Sequence, residues 1–86
     1  MQIEIHQTYT TKLRAGDLLP LDTIDRMRHD HDRVPARVDT TTCARVADVV
    51  HHGPGEPVSV VLEGGVVIEA RSSRMIVFVR EVASSS

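Results

Sequence analysis

Hydrophobic and polar positions alternate through most of this chain, and the alternation is strongest near its end. Val58, Val60 and Leu62 alternate with Ser59, Val61 and Glu63, then Gly64-Gly65 interrupts, then Val66-Val67-Ile68-Glu69-Ala70-Arg71 follows. A strand shows one face at every second residue, so a hairpin register can be tested by asking whether it keeps the faces apart. A two-residue loop pairs Val60 with Val67 and mixes them. A three-residue loop, Glu63-Gly64-Gly65, pairs Leu62 with Val66, Val60 with Ile68 and Val58 with Ala70, and sets Ser59 opposite Glu69. Gly65 then supplies the left-handed residue that ends such a loop.

After Arg71-Ser72-Ser73-Arg74, the run Met75 to Val82 reads as a further strand. Folding it back as a meander pairs Ala70 with Met75, Ile68 with Val77 and Val66 with Val79. One face is then aliphatic throughout. The reverse face carries a second apolar patch, Val61, Val67, Ile76 and Phe78, where a sheet wetted on one side would turn polar. Something must cover that patch: the N-terminal arm, closure of the sheet on itself, or another protein.

The remaining elements follow in chain order. Residues 1–13 alternate, with Met1, Ile3, Ile5, Tyr9 and Leu13 at odd positions, which predicts a half-buried strand, straight or bent once near Gln7-Thr8. Arg14-Ala15-Gly16-Asp17 reads as a turn with Gly16 at positive φ. Leu18-Leu19-Pro20-Leu21 is an extended piece that Pro20 assigns to an edge or outside the ladder. Residues 22–33 read as a polar surface loop, with a minor helix at 22–29, capped by Asp22, as the alternative. Val34 to Val38 is a weak strand and Cys43 to Val50 a better one. Two glycines and two prolines make 51–57 a loop. The chain is expected to form one domain over 1–83, with 84–86 a frayed tail.

Composition narrows the class. The 86 residues include one tyrosine and one phenylalanine, so the core is aliphatic and rich in β-branched side chains. The single Cys43 excludes an internal disulfide and fits a reducing compartment. No apolar run reaches the ~18 residues of a membrane span. The expectation is a cytoplasmic protein, or a virion-associated one if the gene is a phage's. A net charge of -2 gives no general attraction to nucleic acid or anionic lipid. Lys12 is the one lysine among ten basic residues, a bias that fits a GC-rich genome such as that of an actinobacterium or its phage.

Five or six short strands with closely spaced turns predict an all-β fold, a small antiparallel barrel ending in a three-stranded meander. The stretches LRAGDLLPL and ARVADVVHHGPGEPVSVVLEGGVVIEARSSRMIVFVRE, separated by a long loop, resemble small SH3-like β-barrel proteins in their order of strands and turns. That resemblance implies a binding or adaptor role and names no ligand.

Three groups of residues carry candidate chemistry. The apolar patch Val61, Val67, Ile76 and Phe78 is a candidate protein interface, for self-association or another partner. Arg71, Arg74 and Arg80 are a candidate nucleic-acid contact, although stacking platforms are scarce and Glu63, Glu69 and Glu81 balance the charge. His29 and His31, with His51 or His52, are a candidate metal site, against which stands a solvated loop whose aspartates are offset by Arg26, Arg28 and Arg33. Cys43 precedes a β-run and reads as a small buried hydrophobe rather than a nucleophile. No phosphate loop, catalytic set or cofactor motif is present. The expectation is a non-catalytic interaction module without a cofactor or small-molecule substrate.

Overall fold

The first hairpin forms in the register that face separation selects. The computed structural model describes residues 2–29 and 38–82. In it Val58 pairs with Ala70, Ser59 with Glu69, Val60 with Ile68 and Val61 with Val67. The Leu62 N–H donates to the Val66 carbonyl at 2.8 Å, and Gly65 lies at φ 91°. Val58, Val60, Leu62, Ile68 and Ala70 are all buried in one core.

Six strands make one antiparallel sheet. They are β1 (Gln2–Tyr9), β2 (Leu18–Pro20), β3 (Cys43–His51), β4 (Val58–Leu62), β5 (Val67–Ala70) and β6 (Met75–Val82), in the spatial order β1-β6-β2-β3-β4-β5. Among the described residues one α-helix, α1 (Leu21–Arg28), packs on the sheet. The domain is thus mostly antiparallel β with one short helix, and among the described residues no helix is long and apolar enough to cross a membrane.

The meander does not form. The turn at Arg71–Arg74 closes as expected, with Arg74 N–H on the Arg71 carbonyl at 3.1 Å. Beyond it β6 leaves β5 and pairs over its whole length with β1, from Tyr9↔Met75 to Gln2↔Val82. Eight residue pairs with β1 outweigh the four that β5 could offer, because each ladder pair adds hydrogen bonds and cross-strand contact. The change of partner also inverts the face of β6. Ile76 and Phe78 enter the core cluster, while Val77 and Val79 lie on the opposite side of the strand.

β2 is internal, between β6 and β3, where Pro20 had argued for an edge. It pairs with β6 only at Leu18 and reaches Pro20 against β3 alone, opposite Cys43. The missing proline N–H therefore falls beyond the β6 ladder, where no partner needs it. β3 serves both halves of the sheet. Cys43 to Arg45 pair with β2, and the strand pairs with β4 from Val46 onward, with an irregularity in that ladder between Val46 and Asp48. The extra residue, Ala47, bends the strand as bulges do.

Residues 21–28 form a helix, which corrects the polar-loop reading of 22–33 over this part. The cap differs as well, since Pro20 holds that position and Asp22 sits in the first turn. Thr23, Ile24 and Met27 are buried at helical spacing, and the Thr23 hydroxyl donates to the Val77 carbonyl at 2.7 Å. Eight residues are too few for a helix to persist alone, so this packing holds it. Beyond the helix, His29 caps its end, the expected loop from 30 on lies outside the described residues, and so does the weak strand predicted from Val34 except Val38, which is in no strand.

Candidate interaction surface

β1 follows the alternation read from the sequence, but its apolar face is the wet one. Odd positions of β1 stand opposite odd positions of β6, so Ile3, Ile5, Gln7 and Tyr9 share a face with Met75, Val77, Val79 and Glu81. On that face Ile3 is 56% exposed, Ile5 61%, Tyr9 48% and Met75 42%, whereas Val77 and Val79 of β6 are buried, so the open part of the face is the β1 side. The expectation of a half-buried strand fails because β1 is an outer strand that touches β6 and little else.

The other face is fastened down by a column of polar and aromatic groups. Phe78 is fully buried, and His6, its cross-strand neighbour, stacks on it with 5.2 Å between ring centroids and 7° between planes. The His6 Nε2 lies 3.2 Å from the Glu4 carboxylate. The Arg80 guanidinium lies over the Phe78 ring, 5.3 Å from its centroid. Its Nε and Nη2 donate to Oδ1 and Oδ2 of Asp17 at 2.8 and 2.9 Å, and Nη2 reaches the Lys12 carbonyl at 3.1 Å. Asp17 holds the Arg80 guanidinium above its ordinary pKa, chiefly through these hydrogen bonds.

Asp17 is itself built into the turn. Its Oδ2 accepts the Arg14 N–H at 2.8 Å, and its own N–H bonds the Arg14 carbonyl at 3.1 Å. Gly16, at φ 96°, lets the chain turn there as expected, and its N–H meets the Val46 carbonyl at 2.8 Å. Beside this pair lies an open cleft of about 340 Å³ lined by Arg14, Gly16, Asp17, Arg45, Arg80 and Glu81. Arg45 spans it, bonding the Gly16 carbonyl at 3.2 Å and the Glu81 carboxylate at 2.8 Å.

The expected interface does not form as one patch. Val67 is exposed and Val61 half-buried at the β4–β5 hairpin, while Ile76 and Phe78 are core residues under β1. The patch depended on β6 lying beside β5, and it dissolves with that pairing. The real exposed apolar row was visible in the sequence as Ile3, Ile5 and Tyr9, but alternation alone does not say which side a strand's apolar face will meet.

The three arginines also separate. Arg71 is exposed, Arg74 is buried with a guanidinium nitrogen on the Arg26 carbonyl at 2.7 Å, and Arg80 is held by Asp17 from the far end of β6. Two of the three cations proposed for nucleic acid therefore already serve the fold. Among the described residues no three His, Cys, Asp or Glu side chains gather as metal ligands. His29 pairs with Asp25 at 3.3 Å, His52 bonds Ser59 Oγ at 2.8 Å, His51 ends β3, and His31 lies outside the described residues. Cys43 is half-buried, donates to the Thr40 carbonyl at 3.3 Å, and has its pKa raised by burial and then by Asp39.

Comparison with protein-family models, curated proteins and solved structures finds no match for this chain.

Proposed function

We propose that this chain is a non-catalytic interaction module acting through protein–protein contacts, and that its contact surface is the free edge and outer face of β1. The observation that carries the reading is the set of large apolar side chains exposed at the margin of the sheet, Ile3, Ile5 and Tyr9 on β1 with Met75 of β6 opposite Tyr9. Single exposed hydrophobes are ordinary on protein surfaces, whereas several gathered along one strand edge point to an interface. A free edge adds a second attraction, because an extended segment of a partner can extend the ladder and seat alternate side chains on the same face. The long β3, which pairs first with β2 and then with β4, is compatible with the small SH3-like barrel whose strand order the sequence resembles.

The test compares the wild-type chain with Ile5→Lys, each immobilised and exposed to an extract of the source cells. Proteins retained by the wild type, this chain itself included, should be lost from the variant. Ile5 is exposed, so the variant should fold and melt as the wild type does. Identical retention by a folded variant overturns the proposal.

A further inference from the structure

The side chains that make β1 apolar belong to the residues whose backbone finds no partner in β6. The Thr10 N–H donates to the Arg74 carbonyl at 2.9 Å, continuing the β1–β6 register by one step. In an antiparallel ladder every second residue exchanges its hydrogen bonds with the partner strand. Even-numbered residues of β1 therefore face β6, and Ile3, Ile5, Gln7 and Tyr9 point their N–H and C=O groups away from the sheet. Folded proteins blunt such edges with lysine, proline or a bulge. Over its eight residues β1 has no lysine and no proline, and its register with β6 is unbroken.

We propose that the partner of this edge is a second copy of the chain, joined β1 to β1 antiparallel about a two-fold axis at Ile5. The inference rests on the protein-contact reading and names its partner. Two-fold pairings that keep the faces apart must centre on a residue, and their centres differ in chemistry. Centring on Glu4 opposes two carboxylates, and centring on His6 opposes two imidazoles. Centring on Ile5 sets Ile5 against its own copy, Glu4 against His6, Ile3 against Gln7 and Gln2 against Thr8. Each Glu4 then faces a histidine of the other copy, and no like charges meet.

The same register completes the apolar row. Ile3 lies diagonal to Ile5 and to Tyr9 of the other copy, within the reach of diagonal cross-strand neighbours. The three odd-numbered pairs that result would add about six backbone hydrogen bonds. The two sheets become one, and each copy loses its exposed β1 edge, as an isologous interface requires.

Cross-linking reads the register directly. In a Cys43→Ser background, Ile5→Cys should form a disulfide-linked dimer under mild oxidation, because hydrogen-bonded cross-strand pairs stand about 5.5 Å apart at Cα, within disulfide range. Ile3→Cys alone should stay monomeric on denaturing gels, and mixing Ile3→Cys with Gln7→Cys chains should give the mixed dimer. Sedimentation should show the wild type passing from monomer to dimer between roughly 5 and 500 µM, as suits a small interface, and Ile5→Lys remaining monomeric with an unchanged melt. A wild type that stays monomeric throughout overturns the second-copy proposal, as does equal cross-linking of Ile3→Cys and Ile5→Cys. The monomeric result leaves the contact reading to the extract comparison, where loss of a different protein on Ile5→Lys would still support it.

Discussion

Asp17 and Arg80 form a two-pronged ion pair that joins the turn before β2 to the far end of β6. The carboxylate is almost wholly buried and the guanidinium about a quarter exposed, with both contacts shorter than 3 Å. Arg80→Met should cost about 2–4 kcal/mol, because removing one partner strands a buried charge. Asp17→Leu combined with Arg80→Met should cost less than the sum of the single changes. Urea unfolding of the four chains measures the coupling, and strict additivity would show that the pair contributes nothing through its contact.

Phe78 is a core residue, so its substitution reports on stability before association. Phe78→Ala should cost about 3–5 kcal/mol, and Phe78→Leu less. Phe78→Asp, which would be the natural probe of an exposed patch, should leave the chain unfolded by circular dichroism. A folded Phe78→Asp chain would contradict the observed packing.

The Gly64-Gly65 loop sets the β4–β5 register through backbone conformation alone. Both residues lie at φ above 90°, with open space where a Cβ would sit. Gly65→Ala should therefore cost about 1–2 kcal/mol through strain without a clash. Gly65→Asn should cost less, since asparagine tolerates the left-handed region better. Thermal melts of the two variants supply the comparison.

Thr23 ties α1 to β6. Thr23→Val keeps the shape but removes the hydroxyl that donates to the Val77 carbonyl, so about 1 kcal/mol of stability should go with it. Amide exchange should quicken in α1 more than in β4 and β5, because an eight-residue helix depends on this docking.

The Cys43 thiol should react slowly. Its raised pKa means that less thiolate is present at any given pH, and the thiolate is the nucleophile. Alkylation by iodoacetamide at pH 8 should run several-fold slower in the folded chain than in urea, with the folded profile displaced to higher pH. Equal rates would mean that the thiol is not shielded.

Local structure was legible where short-range rules act alone. Turn chemistry and face separation together admit one sensible register for Val58–Ala70, and the Gly16-Asp17 turn follows from the left-handed position it needs. The helix at 21–28 was harder to see, because only tertiary contacts of Thr23, Ile24 and Met27 make so short a segment helical. The candidate site was half visible. Ile3, Ile5 and Tyr9 stood out as an apolar row, but their exposure did not.

What the sequence determined by itself is the alternating stretches that form β1, β3, β4, β5 and β6, the first hairpin and the two apolar faces of the last strand, since these depend on alternation and turn residues close in the chain. What only the tertiary structure decided is partnership. β6 could lie beside β5 or beside β1, and both choices satisfy its alternation. The longer ladder with β1, anchored by Arg80 on Asp17 and by His6 on Phe78, settles it through contacts more than sixty residues apart in the chain. That choice buries Ile76 and Phe78, and it leaves Ile3, Ile5 and Tyr9 on the outer face of an edge strand.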